Sequence, residues 1–187
     1  MSLPPLPTLR SPRVQLRLLT PQDCEPFIRG AAASRELHGT WVNPPTDKVG
    51  YQATMERVGD SHAPLGVFSR DNGGLIGVFN FSQILLGFFC SAYLGYFVFE
   101  PYAGRGLMCE GLELTLHMGF EHLALHRIEA NIQPGNAQSI ALVRRCGFEQ
   151  EGFSPGYLFI AGAWRDHQRW AIRREIWSPR RDTHTLR

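Results

Sequence analysis

The sequence predicts an α+β fold of mixed α/β type, organised as one domain on a mixed sheet. Strands cluster ahead of and behind two strand–helix units. A glycine-rich turn carries a bulky apolar strand straight into an amphipathic helix, which requires one parallel crossover. No internal repeat and no linker divides the 187 residues.

The Pro-rich start reads as an extended lead-in over residues 1–12, ahead of a domain over 13–177. Val14, Leu16 and Leu18 alternate with Gln15 and Arg17, the pattern of a half-buried strand. Thr20 before Pro21, with Asp23 and Glu25 in the first turn, opens a helix toward Arg35. A loop with His38, Gly39, Trp41, Pro44 and Pro45 follows, then a helix over 46–59 and a break over 60–64. Strands are predicted over 65–69, 75–81 and 92–99. Asp71-Asn72-Gly73-Gly74 turns the first pair, and residues 84–89 form a loop or wide hairpin tip. Leu107, Gly111, Leu114 and Met118 keep the helical period over 107–123, with Glu110, Glu113 and Glu121 mostly off that face. A short strand over 128–132 leads through Pro134-Gly135-Asn136 into a helix ended by Gly147. Residues 157–160 and 164–172 close the domain as a hairpin around Ala161 and Gly162.

Apolar residues make up 43% of the chain and charged residues 19%, with twelve Phe and four Trp. That composition excludes disorder for the body of the domain. A formal charge of +2 is far from the concentrated basic surface that phosphate-backbone binding needs, so direct sequence-specific nucleic acid binding is not expected. Arg169, Arg173, Arg174, Arg180, Arg181 and Arg187 gather near the end, and residues 178–187 form a basic tail. Such a tail suits docking on an acidic or RNA-containing assembly, although a solvated tail explains it as simply. Cys24, Cys90, Cys109 and Cys146 form no C-x-x-C pair and read as free thiols of a reducing cytoplasm. The N-terminus lacks a basic start and an apolar run, and no window reaches about 18 uncharged apolar residues, so neither export nor a membrane is expected.

The segment from Tyr93 to Glu113 carries the chemistry. Gly104 and Gly106 admit a ligand close to the backbone, the first-turn amides of the following helix lack internal partners, and Arg105 adds charge. A diphosphate fits such a place, and an ordinary tight turn also produces it. No Lys follows the glycines as a Walker loop requires, and a Rossmann fingerprint lacks its third glycine.

Gly104-Arg105-Gly106-Leu107 after a strand resembles the pyrophosphate loop of GNAT superfamily acetyltransferases, written Q/R-x-x-G-x-G/A. Aligned over Ala103 to Met108, Gly106 matches, whereas Ala103 and Met108 depart from the outer positions. Ile76-Gly77-Val78, Asn80-Phe81-Ser82, Tyr93-Leu94-Gly95-Tyr96, His126-Arg127-Ile128, Cys146-Gly147-Phe148-Glu149 and Trp164-Arg165-Asp166-His167 are similar, in order, to RimJ/RimL-like N-acetyltransferases. Members of that branch acetylate the N-terminal alanine of a ribosomal protein. The resemblance implies a twisted, mainly antiparallel GNAT sheet with splayed fourth and fifth strands, helices on both faces and acetyl-CoA in the gap.

It further implies that the backbone of Phe97, Val98 and Phe99 meets the pantetheine, with Phe97 or Val98 polarising the thioester carbonyl. Amides of Ala103, Gly104, Arg105, Gly106, Leu107 and Met108 would hold the pyrophosphate, and Asn136 would touch the cofactor. Ser139, or the nearby Tyr102, would protonate the leaving thiolate. His38, Trp41, Asn43 and Tyr93 would shape the acceptor pocket. The acidic base of many relatives has no counterpart here, since Leu94 and Tyr93 precede Gly95. An α-amine, with a pKa of about 7.7–8.0 against about 10.4 for Lys, is partly neutral unaided. Asp166 and His167 face opposite sides of a strand, which disfavours an acid–base pair. His122 and His126 stand four apart without a third ligand, so no metal is expected.

The expected activity is acetyl-CoA-dependent acetylation of a protein N-terminal amine by direct attack, with ribosomal association. A small-amine or amino-acid acetyltransferase and a non-catalytic acyl-CoA sensor are the alternatives. Exposed aromatic content leaves room for a homodimer.

Overall fold

The computed structural model describes residues 3–59 and 61–178. The basic-tail reading from 179 onward therefore lies outside the described residues.

The strands are β1 (Leu9–Arg10), β2 (Val14–Leu18), β3 (His62–Ser69), β4 (Leu75–Leu85), β5 (Ser91–Val98), β6 (Arg127–Ile132), β7 (Glu149–Ile160) and β8 (Ala163–Arg173). They form one sheet in the order β1-β2-β3-β4-β5-β6-β8-β7. Every ladder is antiparallel except β5–β6. The helices are α1 (Cys24–Ala33), α2 (Arg35–His38), α3 (Lys48–Glu56), α4 (Leu107–His117) and α5 (Ala137–Arg145). The one parallel pair is joined through α4, as the glycine-rich turn requires.

Helices cover both faces. On one, Leu112 and Leu116 of α4 and Val143 of α5 pack with Leu65, Val67, Phe79, Phe81 and Ile128. On the other, Phe27 and Ala31 of α1 and Tyr51 of α3 pack with Phe68, Val78 and Phe99. Strand alternation assigns the faces: in β3, Ala63, Leu65 and Val67 look toward α4 while Phe68 looks toward α1. Each such large side chain contributes about 1.5–3 kcal/mol when fully buried.

Several boundaries differ from the sequence expectation. The lead-in joins the fold, because Leu9 and Arg10 pair with Leu16 and Gln15 and Leu9 is buried. The first helix divides at Ser34, whose hydroxyl donates to Gly30 O at 2.6 Å and accepts from Glu100 N at 2.9 Å. The second predicted helix shortens to α3, which Asp47 caps by accepting from Gly50 N at 2.7 Å. β3 runs through the predicted break, since Pro64 pairs with Asn80 and its carbonyl accepts from Leu19 N. β4 runs on to Leu85 through an irregularity after Ser82, leaving Phe88 and Phe89 exposed at the tip. The helix expected over 107–123 passes into a π-helical turn, Met118–His122. β7 is longer than predicted because β8 templates it across irregularities at Gln150/Gly152 and Ser154/Leu158.

Candidate active site

The sheet opens between β5 and β6. Their ladder holds only Ser91, Ala92 and Tyr93 against Arg127, Ile128 and Glu129, and beyond Tyr93 the strands diverge. Phe99 N donates to Ile76 O at 2.8 Å, and Val98 stands opposite Gly77. The alternation of an antiparallel strand then turns the Phe97 and Phe99 amides toward β4 and the Tyr96 and Val98 peptide groups toward the gap. Of the two amides considered as carbonyl-polarising donors, that of Val98 faces the gap and that of Phe97 does not. The Val98 carbonyl is taken by His38 Nε2 at 2.9 Å, which fixes that ring nitrogen as the donor.

The loop after α2 spans the opening. Gln133, just past β6, donates from Nε2 to Thr40 O at 2.9 Å. A Cβ on Gly135 would lie 3.1 Å from the Trp41 ring. With His38 on β5, the loop is thus anchored on both sides of the gap, and Trp41 lies over the β6–α5 turn. Asn43 is exposed in the same loop.

At the open end, Gly104 and Gly106 both take φ 74°, a conformation that disfavours any side chain. Gly106 is the N-cap of α4, so Leu107 and Met108 begin the helix with amides free of helical partners. Among the described residues the amides of Gly104, Arg105 and Gly106 make no backbone hydrogen bond, whereas Ala103 N donates to Glu100 O at 3.1 Å. Arg105 is exposed. Arg13 joins it: its Nη1 donates to Arg105 O at 3.2 Å and its guanidinium pairs with Glu110. Burial alone would raise the Glu110 pKa, but hydrogen bonds from Ser11 and Arg13 outweigh it and hold the carboxyl below its usual range.

Across the gap, Asn136 caps α5 by accepting from Ser139 N at 3.1 Å. That cap turns Ser139 Oγ toward β5, where it lies 2.5 Å from the Tyr96 hydroxyl. Burial raises the Tyr96 pKa well beyond the usual phenol range, with the Ser139 contact offsetting part of the rise. The Tyr102 hydroxyl lies elsewhere, where a Cβ on Gly74 would fall, on the β4 side of β5. The two proton donors named from the sequence are therefore not brought together; Ser139 is paired instead with Tyr96.

On the α1–α3 face, burial of Tyr157 of β7, followed by the influence of Tyr93, pushes the Tyr157 pKa up to about 12. Opposite Tyr93 stands Glu129, which accepts from Arg127 Nε at 2.8 Å. Gly95 has open space where a side chain would be. Among the described residues, Asn80 Oδ1 and Asn131 Oδ1 on this face are buried without a partner.

Tyr96, Arg13 and Glu129 were missed by the sequence reading. Tyr96 and Glu129 carry a local signal, as polar-tipped side chains on the strands that splay. Arg13 carries none, because its contacts lie 92 and 97 residues away.

The expectation of no metal concerned His122 and His126. His122 meets His117 edge-to-face with ring centroids 5.6 Å apart, and His126 pairs with Glu175. Elsewhere, the ligand atoms of Cys109, Glu113 and Cys146 lie within 4.8 Å of one another. The two sulfurs are 3.7 Å apart, and neither cysteine is in a disulfide.

A parallel pair that parts after three residues, with a helix N-terminus and unpaired amides at its open end, suits an extended chain that ends in a diphosphate. The acetyltransferase (GNAT) domain model matches residues 13–149, and the chain belongs to this family of N-acetyltransferases. Within it the chain is similar to the [ribosomal protein uS5]-alanine N-acetyltransferase of Escherichia coli (strain K12), 34% identical over 92% of this chain and 94% of that protein. Among solved structures, Mycobacterium smegmatis RimJ in complex with CoA-disulfide superposes with a TM-score of 0.79 at 27% identity, covering 91% of this chain and 87% of that one. The ribosomal-protein-S5-alanine acetyltransferase of Vibrio fischeri shares the fold with a TM-score of 0.79 at 24% identity, over 92% of this chain and all of that one. The RimJ-like resemblance is therefore sound, and the mixed, mainly antiparallel GNAT sheet agrees with the sequence expectation. No helix among the described residues is long and apolar enough to cross a membrane.

Proposed function

We propose that the protein transfers acetyl from acetyl-CoA to the N-terminal α-amine of a protein, with a ribosomal protein as the acceptor. The observation that carries this reading is the contact across the β5–β6 gap between the Tyr96 hydroxyl of β5 and Ser139 Oγ of α5, in a chain similar to an N-terminal alanine acetyltransferase. The residues fit the cosubstrate: free amides over Gly104–Met108 with Arg105 and Arg13 suit a pyrophosphate, and the open edge of β5 suits an extended amide chain. Acetyl-CoA supplies the acetyl group as a thioester.

The chain's own residues divide the work by face. Val98 N–H is placed to polarise a carbonyl lying in the gap. On the α4–α5 side, the Tyr96 phenol stays protonated throughout the physiological range and donates toward the leaving sulfur, directly or through Ser139 Oγ. On the α1–α3 side, the acceptor enters past Trp41 and Tyr93. Asn80 Oδ1 and Asn131 Oδ1 offer buried acceptors for its N–H groups, while Glu129, opposite Tyr93, is already ion-paired with Arg127. Direct attack needs the amine neutral, which favours α-amines over lysines at neutral pH.

The size of the acceptor remains the point to test. Turnover with a free N-terminal Ala peptide, and none with its blocked counterpart, supports this reading. Turnover with small amines alone replaces it with a small-molecule acetyltransferase, and acetyl-CoA binding without turnover replaces it with a sensor.

A further inference from the structure

A second polar cavity lies outside the gap. It is about 320 Å³ and lined by Arg57, Ser61, His62, Ser82 and Gln83. His62 is only 5% exposed, yet both its ring nitrogens lack a partner among the described residues. A buried imidazole left in this state forfeits hydrogen bonds that water would have given it. Arg57 makes no ion pair among the described residues, and no carboxylate is among the lining side chains. Gln83 is held at φ 49°, a conformation rarely adopted by a residue with a side chain. Among the described residues the cavity thus gathers a guanidinium, an imidazole, two hydroxyls and an amide with no opposing negative charge.

Its place in the sheet ties it to the acceptor. His62 pairs with Ser82 and Ser82 with Tyr93, and all three look toward the α1–α3 face. Two strand spacings, about 10 Å, separate His62 from Tyr93. An extended chain covers that distance in about three residues.

We propose that this cavity is an oxyanion subsite that takes a carboxylate carried by the acceptor a few residues behind its amine. The assignment rests on the N-terminal acetyltransferase reading. Arg57 supplies a charge-assisted fork, and a neutral His62 donates one N–H to the anion and keeps one acceptor nitrogen for a seryl hydroxyl. Burial, followed by the charge of Arg57, holds His62 below its usual pKa and so in this neutral form.

The test has two arms. In the first, inorganic phosphate is titrated into the full chain at constant ionic strength while the ¹H–¹⁵N ring resonances of His62 are followed. Saturable movement is expected, with loss in Arg57→Met, a change at an exposed position that leaves the core untouched. In the second, N-terminal Ala peptides carrying one Asp at positions two to six are compared with their Asn counterparts in acetyl transfer. An Asp at the matching position is expected to lower KM about ten-fold in the wild type and not in Arg57→Met, with the Asn peptides unaffected. Phosphate binding without an Asp preference overturns the acceptor assignment and leaves a site for a free anion. Ring resonances that do not move, together with equal KM values, overturn the subsite altogether. If no peptide is acetylated, the failure belongs to the N-terminal reading, and the phosphate arm still decides the cavity.

Discussion

At Ser139, geometry and sequence meet from different directions. The Asn136-x-x-Ser139 spacing is visible in the chain, and the cap it forms, Ser139 N to Asn136 Oδ1, turns the hydroxyl into the gap. Its partner is harder to read. Tyr96 looks like one more bulky residue of an apolar strand, and only the α5 contact distinguishes it from Tyr93 or Phe97. Tyr96→Phe and Ser139→Ala are each expected to lower kcat about 10²-fold. The double variant should fall little further, because the two hydroxyls act as one unit. Tyr102→Phe should leave kcat within about two-fold, since its hydroxyl sits at Gly74; steady-state kinetics on the purified variants measure all of these. Because Tyr96 is held protonated well above neutrality, its variants should change the height of the pH–rate profile and not its position. That position belongs to the acceptor: kcat/KM should rise through about pH 7.7–8.0 for a peptide α-amine and then level.

Elements were legible wherever one face is buried and the pattern is long. β2, β5 and β6 lie close to where their alternation predicts, and β4 and α4 begin where predicted, although β4 runs on to Leu85 and α4 gives way to a π-helical turn at Met118. β7 was read short because Ser154-Pro155-Gly156 interrupts its pattern, and the pairing with β8 that restores it is a long-range fact. The two-residue β1 has no local signal and exists because β2 offers an edge. The capping of the first helix was legible at Thr20 and Pro21, and its energetic centre is Asp23. That carboxylate accepts from Arg17 Nη1 and Nη2 at 2.8 and 2.7 Å and from Thr20 N at 2.8 Å. Burial pushes its pKa up, and the Arg17 and Thr20 contacts outweigh that, so the folded value lies below the unfolded one. The stabilisation is therefore present above the ordinary carboxylate value of about 3.9 and is lost as pH falls through the lower folded value. Asp23→Asn should cost about 1.5–3 kcal/mol in urea denaturation at pH 7, with the deficit shrinking toward pH 3. At the other helix start, Gly106→Ala places its Cβ in ordinary contact with Arg13, 3.5 Å away, so the cost is backbone strain of about 1–2 kcal/mol. The same variant should raise the KM for acetyl-CoA, because strain at the N-cap disturbs the amides of α4.

For the whole molecule, the order of elements foretold one parallel crossover in an otherwise antiparallel sheet, and that crossover creates the site. The length of the β5–β6 ladder was not legible from either strand, since nothing in Leu94–Val98 or Ala130–Ile132 states where pairing stops. The loop after α2 was legible as a loop, but its two anchors, His38 to Val98 and Gln133 to Thr40, span 60 and 93 residues. If the gap holds the cosubstrate as proposed, acetyl-CoA at about 100 times its Kd should stabilise the fold by about 2.7 kcal/mol. In a chain of this size that raises Tm by roughly 5–11 °C, measurable by thermal unfolding with and without the thioester. Transfer to a protein N-terminus is tested by CoA thiol release with peptides that differ only at the first residue and in whether the α-amine is free. Release is expected to require a free amine on Ala or a similarly small residue and to be absent with internal lysine alone. Release driven by small amines, or by lysine in a peptide with a blocked N-terminus, would contradict it.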